Sequence, residues 1–227
     1  MTHRWLFRFD LDLRSSLGRR TRPEAIVAQE DRNLVMGPQA ILDLDAADDL
    51  DAAYLAVRDH RPLPLGGFLV RRGREPGEPL TYQAVVHDFE LDPSCRPGDV
   101  RRSLSSVVRD AQKRGLGFVA AEALGRWHGR GLSLEEMIEA FHDTILELSP
   151  QLEAPFRLML MLDDLDEVEQ VSHLLRSRLL RHASRSFRTV DGDAAVVEVR
   201  DGVAKYHFRF VPGTLSGYMV TRVRSGS

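Results

Sequence analysis

The sequence holds one cysteine, Cys95, in 227 residues. A single thiol excludes an intramolecular disulfide and a thiolate zinc cluster, and a cytoplasmic chain is expected. Lysine is almost as scarce: Lys113 and Lys205 are the only two, so 29 of the 31 basic residues are arginine. A bias of that kind follows a GC-rich genome, which makes a lone arginine weak ground for assigning a role. Neither sign of charge dominates. The formal net charge is −3, with 29% charged residues, so no large basic face for duplex nucleic acid is expected. Long apolar runs are missing too. None approaches the ~18 residues that span a bilayer, and "MTHRWLFRFDLDLRSS" alternates apolar with charged residues where a signal peptide would be continuously apolar. A soluble chain without a membrane partner follows. Internal repeats and low-complexity tracts are also absent.

What is present is a 43% hydrophobic chain, enough to bury one good core with a small appendage. Up to about residue 182, short apolar runs alternate with helix-period stretches, the order that builds a sheet covered by helices. Strands are predicted over 4–11, 24–28, 66–73, 80–89, 116–124 and 156–162. Helices are predicted over 38–60, with Pro38 in the first turn, over 96–115 with Asp99 as N-cap, from Ser133 onward, and over 163–181 capped by Asp164 with Glu167. Ser133 and Glu136 form a capping box, with Leu132 and Met137 spaced for a hydrophobic staple. The fold class is therefore three-layer α/β/α, residues 1–182. Residues 183–227 change character: Asp191-Gly192 and Asp201-Gly202 each sit between β-prone runs, the signature of hairpins. They predict an antiparallel β-meander that packs on the main domain, on a protein partner or on a second copy of the chain.

The segment "LGRWHGRGLSLEEM" (124–137) leads from an apolar strand into a capped helix. Such a turn offers unsatisfied N–H groups and the positive end of a helix dipole, which suit a pyrophosphate. Gly125, Gly129 and Gly131 would permit close backbone approach, Arg126 and Arg130 could bind phosphate oxygens, and Trp127 could stack on a ribose or base. The plainer reading is a tight connection rich in glycine for that reason alone. His128, inside the same loop, is the best-placed general acid or base in the chain. Asp31, in "AQEDRNLVMGP", could accept ribose hydroxyls or cap its own turn. In "VVHDFELDPSC", His87, Asp88, Glu90 and Asp92 include hard metal ligands, but strand alternation sends His87 and Asp88 to opposite faces, so no metal site is expected. Cys95 would need a partnered histidine to act as a nucleophile, and is read as an ordinary thiol.

With its elements in this order the chain resembles the macro domain, a family of ADP-ribose-binding modules and ADP-ribosyl hydrolases, over roughly residues 5–180. "EAIVAQEDRNLVMGP" is similar to the family's Asp-Ala-Ile-Val-Asn-Ala-Ala-Asn strand and loop at Ala25, Ile26, Val27, Leu34 and Gly37. "YQAVVHDF" matches its Val-Ile-His strand at Val86 and His87. "ALGRWHG" resembles its Gly-x-Gly-x-x-Gly phosphate loop at Gly125 and Gly129. Ala28 and Asp31 stand at the family's two asparagines, Met36, Gly37 and Pro38 at its glycine triplet, and the phosphate loop is one residue shorter. The resemblance implies a mixed central sheet, and a site for ADP-ribose or a related nucleotide at Asp31, Gly37, Gly125, Arg126, Trp127, His128 and Gly129. No cofactor is expected, and the binding is read as non-catalytic. Two alternatives remain open at this point: an ADP-ribosyl hydrolase using Asp31 and His128, and an interaction scaffold whose docking edge is the meander of residues 184–227.

Overall fold

The computed structural model describes residues 6–18, 21–34, 36, 62–71, 77–127, 129–182, 187–190, 194–201, 204–210 and 218–223. Among the described residues six strands and three helices come first: β1 (Phe7–Leu13), β2 (Ala25–Asp31), β3 (Phe68–Arg71), β4 (Leu80–His87), α1 (Pro97–Lys113), β5 (Phe118–Ala121), α2 (Leu134–Leu148), β6 (Phe156–Leu162) and α3 (Leu165–His182). Four more strands follow: β7 (Phe187–Val190), β8 (Ala194–Asp201), β9 (Ala204–Phe210) and β10 (Tyr218–Val223). All ten form one sheet in the order β3-β4-β2-β5-β6-β1-β10-β9-β8-β7. The five strands from β4 to β1 run parallel, β3 is antiparallel on β4, and the β7–β10 meander continues antiparallel from β1.

Alternation in β1 turns Phe7, Phe9 and Leu11 to one face, where they join Val27, Tyr82, Val119, Phe156 and Leu158 in the main core. α1, α2 and α3 pack on that face through Val100, Leu104 and Val107, through Met137, Ile138 and Phe141, and through Val168, Val171 and Leu175. Ala120, Met159 and Met161 are buried on the other face. The helix predicted over 38–60 and the turn residues 191–193 and 202–203 lie outside the described residues, although the Asp201↔Ala204 register is that of a short hairpin.

Helix starts fall close to expectation. The Ser133 hydroxyl accepts from the Glu136 N–H, the Glu136 carboxylate accepts from the Ser133 N–H, and Leu132 and Met137 are both buried in the core beside them. Asp164 Oδ1 accepts from the Glu167 N–H at 2.8 Å. One cap needs correction. Arg96, not Asp99, is the N-cap of α1; Pro97 fills the first turn, where its missing N–H is no loss, and Asp99 reaches back from the third position to the Arg96 N–H at 3.1 Å. Strand limits differ by a few residues in β1, β3 and β4, and two differences bear on the site. β5 is only four residues long, so 122–132 form a loop, and β2 runs on to Asp31, which places Gln29 and Glu30 in the sheet.

Candidate functional site

Five parallel strands end on one rim of the sheet, and the crevice outside such a rim is where open α/β sheets bind ligands. The loop after β5 closes on itself there. The Leu132 N–H donates to the Gly125 carbonyl at 2.7 Å, and the Arg130 N–H to Trp127 at 2.8 Å, in a turn with Gly129 at φ +76°. Glycine is required at two positions. A Cβ on Gly131 would lie 2.0 Å from the Gly125 carbonyl oxygen; one on Gly125, at φ +84°, would lie 2.9 Å from each of Cys95 Sγ, Val100 and Leu132.

Side chains of β2, β4 and the following loop hold this segment from behind. Gln29 Oε1 accepts from the Gly125 N–H at 3.0 Å, while its Nε2 donates to the Arg126 carbonyl at 2.9 Å. His87, fully buried, places Nε2 3.0 Å from Gln29 Oε1 and Nδ1 3.1 Å from Ser94 Oγ. The Ser94 N–H donates to the Arg130 carbonyl at 3.0 Å. Burial pushes the His87 pKa down to about 4, so the ring is neutral at pH 7. It stacks on Phe89 at 5.4 Å, and Phe89 in turn meets Trp127 at 6.2 Å.

Charged groups line the rim beside the loop. Arg14 joins Glu122 at 2.8 Å to Asp163 at 3.2 Å, and Arg126 pairs with Glu167 in the first turn of α3. The loop after β2 is built differently. Glu30, fully buried, accepts through Oε1 from the Asp31 N–H at 3.0 Å and the Met36 N–H at 2.7 Å, and through Oε2 from Gln83 at 3.3 Å. Asp31 Oδ1 accepts from the Asn33 N–H at 2.9 Å, and Leu34, at φ +59°, drops into an apolar cluster with Leu63 and Val85.

Of the residues singled out from the sequence, Gly125, Arg126, Trp127 and Gly129 share this loop, and Asp31 lies at the end of β2, bonded to its own turn. Gly37 and His128 lie outside the described residues. The expectation that the loop's main chain is open to an anion needs correction. The N–H groups of Gly125, Arg126, Arg130 and Leu132 already serve protein acceptors, because the glycines at 125 and 131 let the chain double back on itself and Gln29 meets it from behind; among the described residues, those of Gly129 and Gly131 have no protein acceptor. Cys95 is buried beneath Gly125, its thiol pushed up to about 12 by burial and by the Asp99 and Glu136 carboxylates. Asp88 pairs with Arg32 at 2.7 Å, away from His87, and among the described residues no three acidic, histidine or cysteine side chains are grouped to hold a metal ion. Nor is any helix among them long and apolar enough to cross a membrane. Sequence reasoning missed Gln29, Glu30, Ser94 and Glu122. A signal existed for two of them: polar Gln29 and Glu30 directly continue an apolar strand, where a buried polar side chain must find partners.

No protein-family model matches the sequence, and no curated protein matches it. Solved structures do resemble the fold. A macrodomain of Oceanobacillus iheyensis with MES bound superposes with a TM-score of 0.60 at 12% identity, over 77% of this chain and 93% of that one. The Oceanobacillus iheyensis macrodomain with ADP gives 0.55 at 13% identity, over 70% and 85%. A glycine-to-valine mutant of the Oceanobacillus iheyensis macrodomain with ADPR gives 0.54 at 12% identity, over 71% and 88%. This chain has the macrodomain fold.

Proposed function

We propose that the chain is a binding module for ADP-ribose or a related nucleotide diphosphate, seated on the rim between the loop after β2 and the loop after β5. The observation that carries this reading is the macrodomain fold itself, whose solved examples include complexes with ADP and ADPR. It brings a glycine loop, held from behind by Gln29 and Ser94, to the carboxyl ends of parallel strands. Toward the ligand this loop offers the Gly129 and Gly131 amides, the exposed Arg130 guanidinium and the Trp127 ring, 36% exposed. An anion would draw on the first three, and a ribose or base would stack on the indole. Arg126 joins them only by leaving Glu167. Strand β10 joins the sheet beside β1, three places from β5, so strands β7–β10 lie outside this site.

Calorimetry and thermal shift with ADP-ribose, AMP and NAD test the reading. ADP-ribose at about 100 times its Kd should add roughly 2.7 kcal/mol of stability. Absence of both heat and shift at millimolar nucleotide would remove it.

A further inference from the structure

The bonds between Gln29, His87 and Ser94 fix where one proton sits. Gln29 cannot be turned over, because its amide serves two main-chain groups of opposite kind: the Gly125 N–H needs the oxygen and the Arg126 carbonyl needs the nitrogen. The atom facing His87 Nε2 at 3.0 Å is therefore an acceptor, so Nε2 carries the hydrogen. In the neutral ring Nδ1 is then bare and takes the Ser94 hydroxyl hydrogen at 3.1 Å. The Arg130 carbonyl, 2.9 Å from that hydroxyl, keeps its bond from the Ser94 N–H. Every polar atom of the set is satisfied by this one arrangement. The opposite tautomer would press the lone pair of a fully buried imidazole against the Gln29 oxygen.

We propose that Gln29, His87 and Ser94 are positioning residues that act as one clamp, fixing both ends of the 125–130 segment before a ligand arrives. The clamp grips Gly125 and Arg126 at one end and Arg130 at the other. It leaves between them the turn that carries Trp127 and Gly129. Its role toward a ligand rests on the nucleotide reading above; its role in shaping the loop does not.

Nitrogen-15 spectra of the full chain test both parts. In the wild type, His87 should be neutral at pH 7 with its proton on Nε2, a measurement that needs no variant. Gln29→Ala should speed exchange of the Gly125 amide roughly 10- to 100-fold, the loss of one buried bond. Ser94→Ala should leave the proton on Nε2, which Gln29 dictates, but weaken ADP-ribose binding roughly 10-fold, and Ser94→Thr, which keeps the hydroxyl, should restore the affinity. A proton on Nδ1, or unchanged Gly125 exchange in Gln29→Ala, overturns the clamp. Equal ADP-ribose affinity in Ser94→Ala and the wild type overturns its role toward the ligand. A wild type that binds no nucleotide, with tautomer and exchange as expected, overturns the nucleotide reading and leaves the clamp standing.

Discussion

Two loops leave the same rim of the sheet, one after β2 and one after β5, and they hold their shapes by opposite means. The first winds around one acidic side chain: Glu30, fully buried, gathers the amides of Asp31 and Met36. The second depends on missing side chains, since Gly131 lies so near the Gly125 carbonyl that no Cβ fits, and on a neutral clamp behind it. A carboxylate can gather donors at several distances, whereas a backbone-to-backbone closure has almost no tolerance. The loop after β5 should therefore be the more brittle of the two.

Gly131→Ala should break that comparison most sharply. The added Cβ meets a main-chain oxygen at 2.0 Å, which no rotamer change relieves, so a loss of roughly 3 kcal/mol or more is expected in urea unfolding. A loss below ~1 kcal/mol would mean that the closure is soft. Acid tests the clamp next. His87 ordinarily titrates near 6.5 and is held at about 4 in the fold, so between those values the unfolded chain binds the extra proton and stability rises with pH. Its contribution is complete above ~6.5 and is lost as pH falls toward ~4, on the order of 3 kcal/mol in all. Unfolding curves of the wild type and His87→Asn across this range should differ by that slope; parallel curves would show that the ring is not held neutral.

The carboxylate-centred loop should yield less. Glu30→Ala strands buried donors and is expected to cost about 2 kcal/mol, and Glu30→Gln, which keeps an acceptor oxygen, about half of that, both read by urea unfolding. Equal losses in the two variants would show that the charge itself, and not the acceptor, organises the loop. Trp127→Ala should do least to the fold, below ~1 kcal/mol, since the residue keeps 36% of its surface exposed and lies outside the buried core. A weaker ADP-ribose affinity in that variant would separate a ligand contact from a structural one.

The fold was legible where local rules agree with packing. Alternation in "FRFDLDL" marks β1, and the Ser133–Glu136 box marks the start of α2 within a residue. The site was legible only in part. Glycine spacing located the loop after β5, but not that Gln29, nearly a hundred positions earlier, supplies the acceptor for Gly125. Partnerships over such distances are set by which strands lie side by side, and no periodicity records that. Asp99 misled for a related reason: aspartate is favoured both at a cap and three residues inside one, and Pro97 decides between the two.

The place of β1 between β6 and β10 bears on how the protein is made. β1 leaves the ribosome long before either neighbour: its Phe7 pairs with Phe156 on one side and with Val220 on the other, the latter more than two hundred positions downstream. Until both arrive, a phenylalanine-bearing strand stands with open hydrogen-bonding edges, the kind of intermediate that other chains can join. Assembly so dependent on distant segments is slow, and shielding of the nascent chain should matter more to its yield than its final stability does.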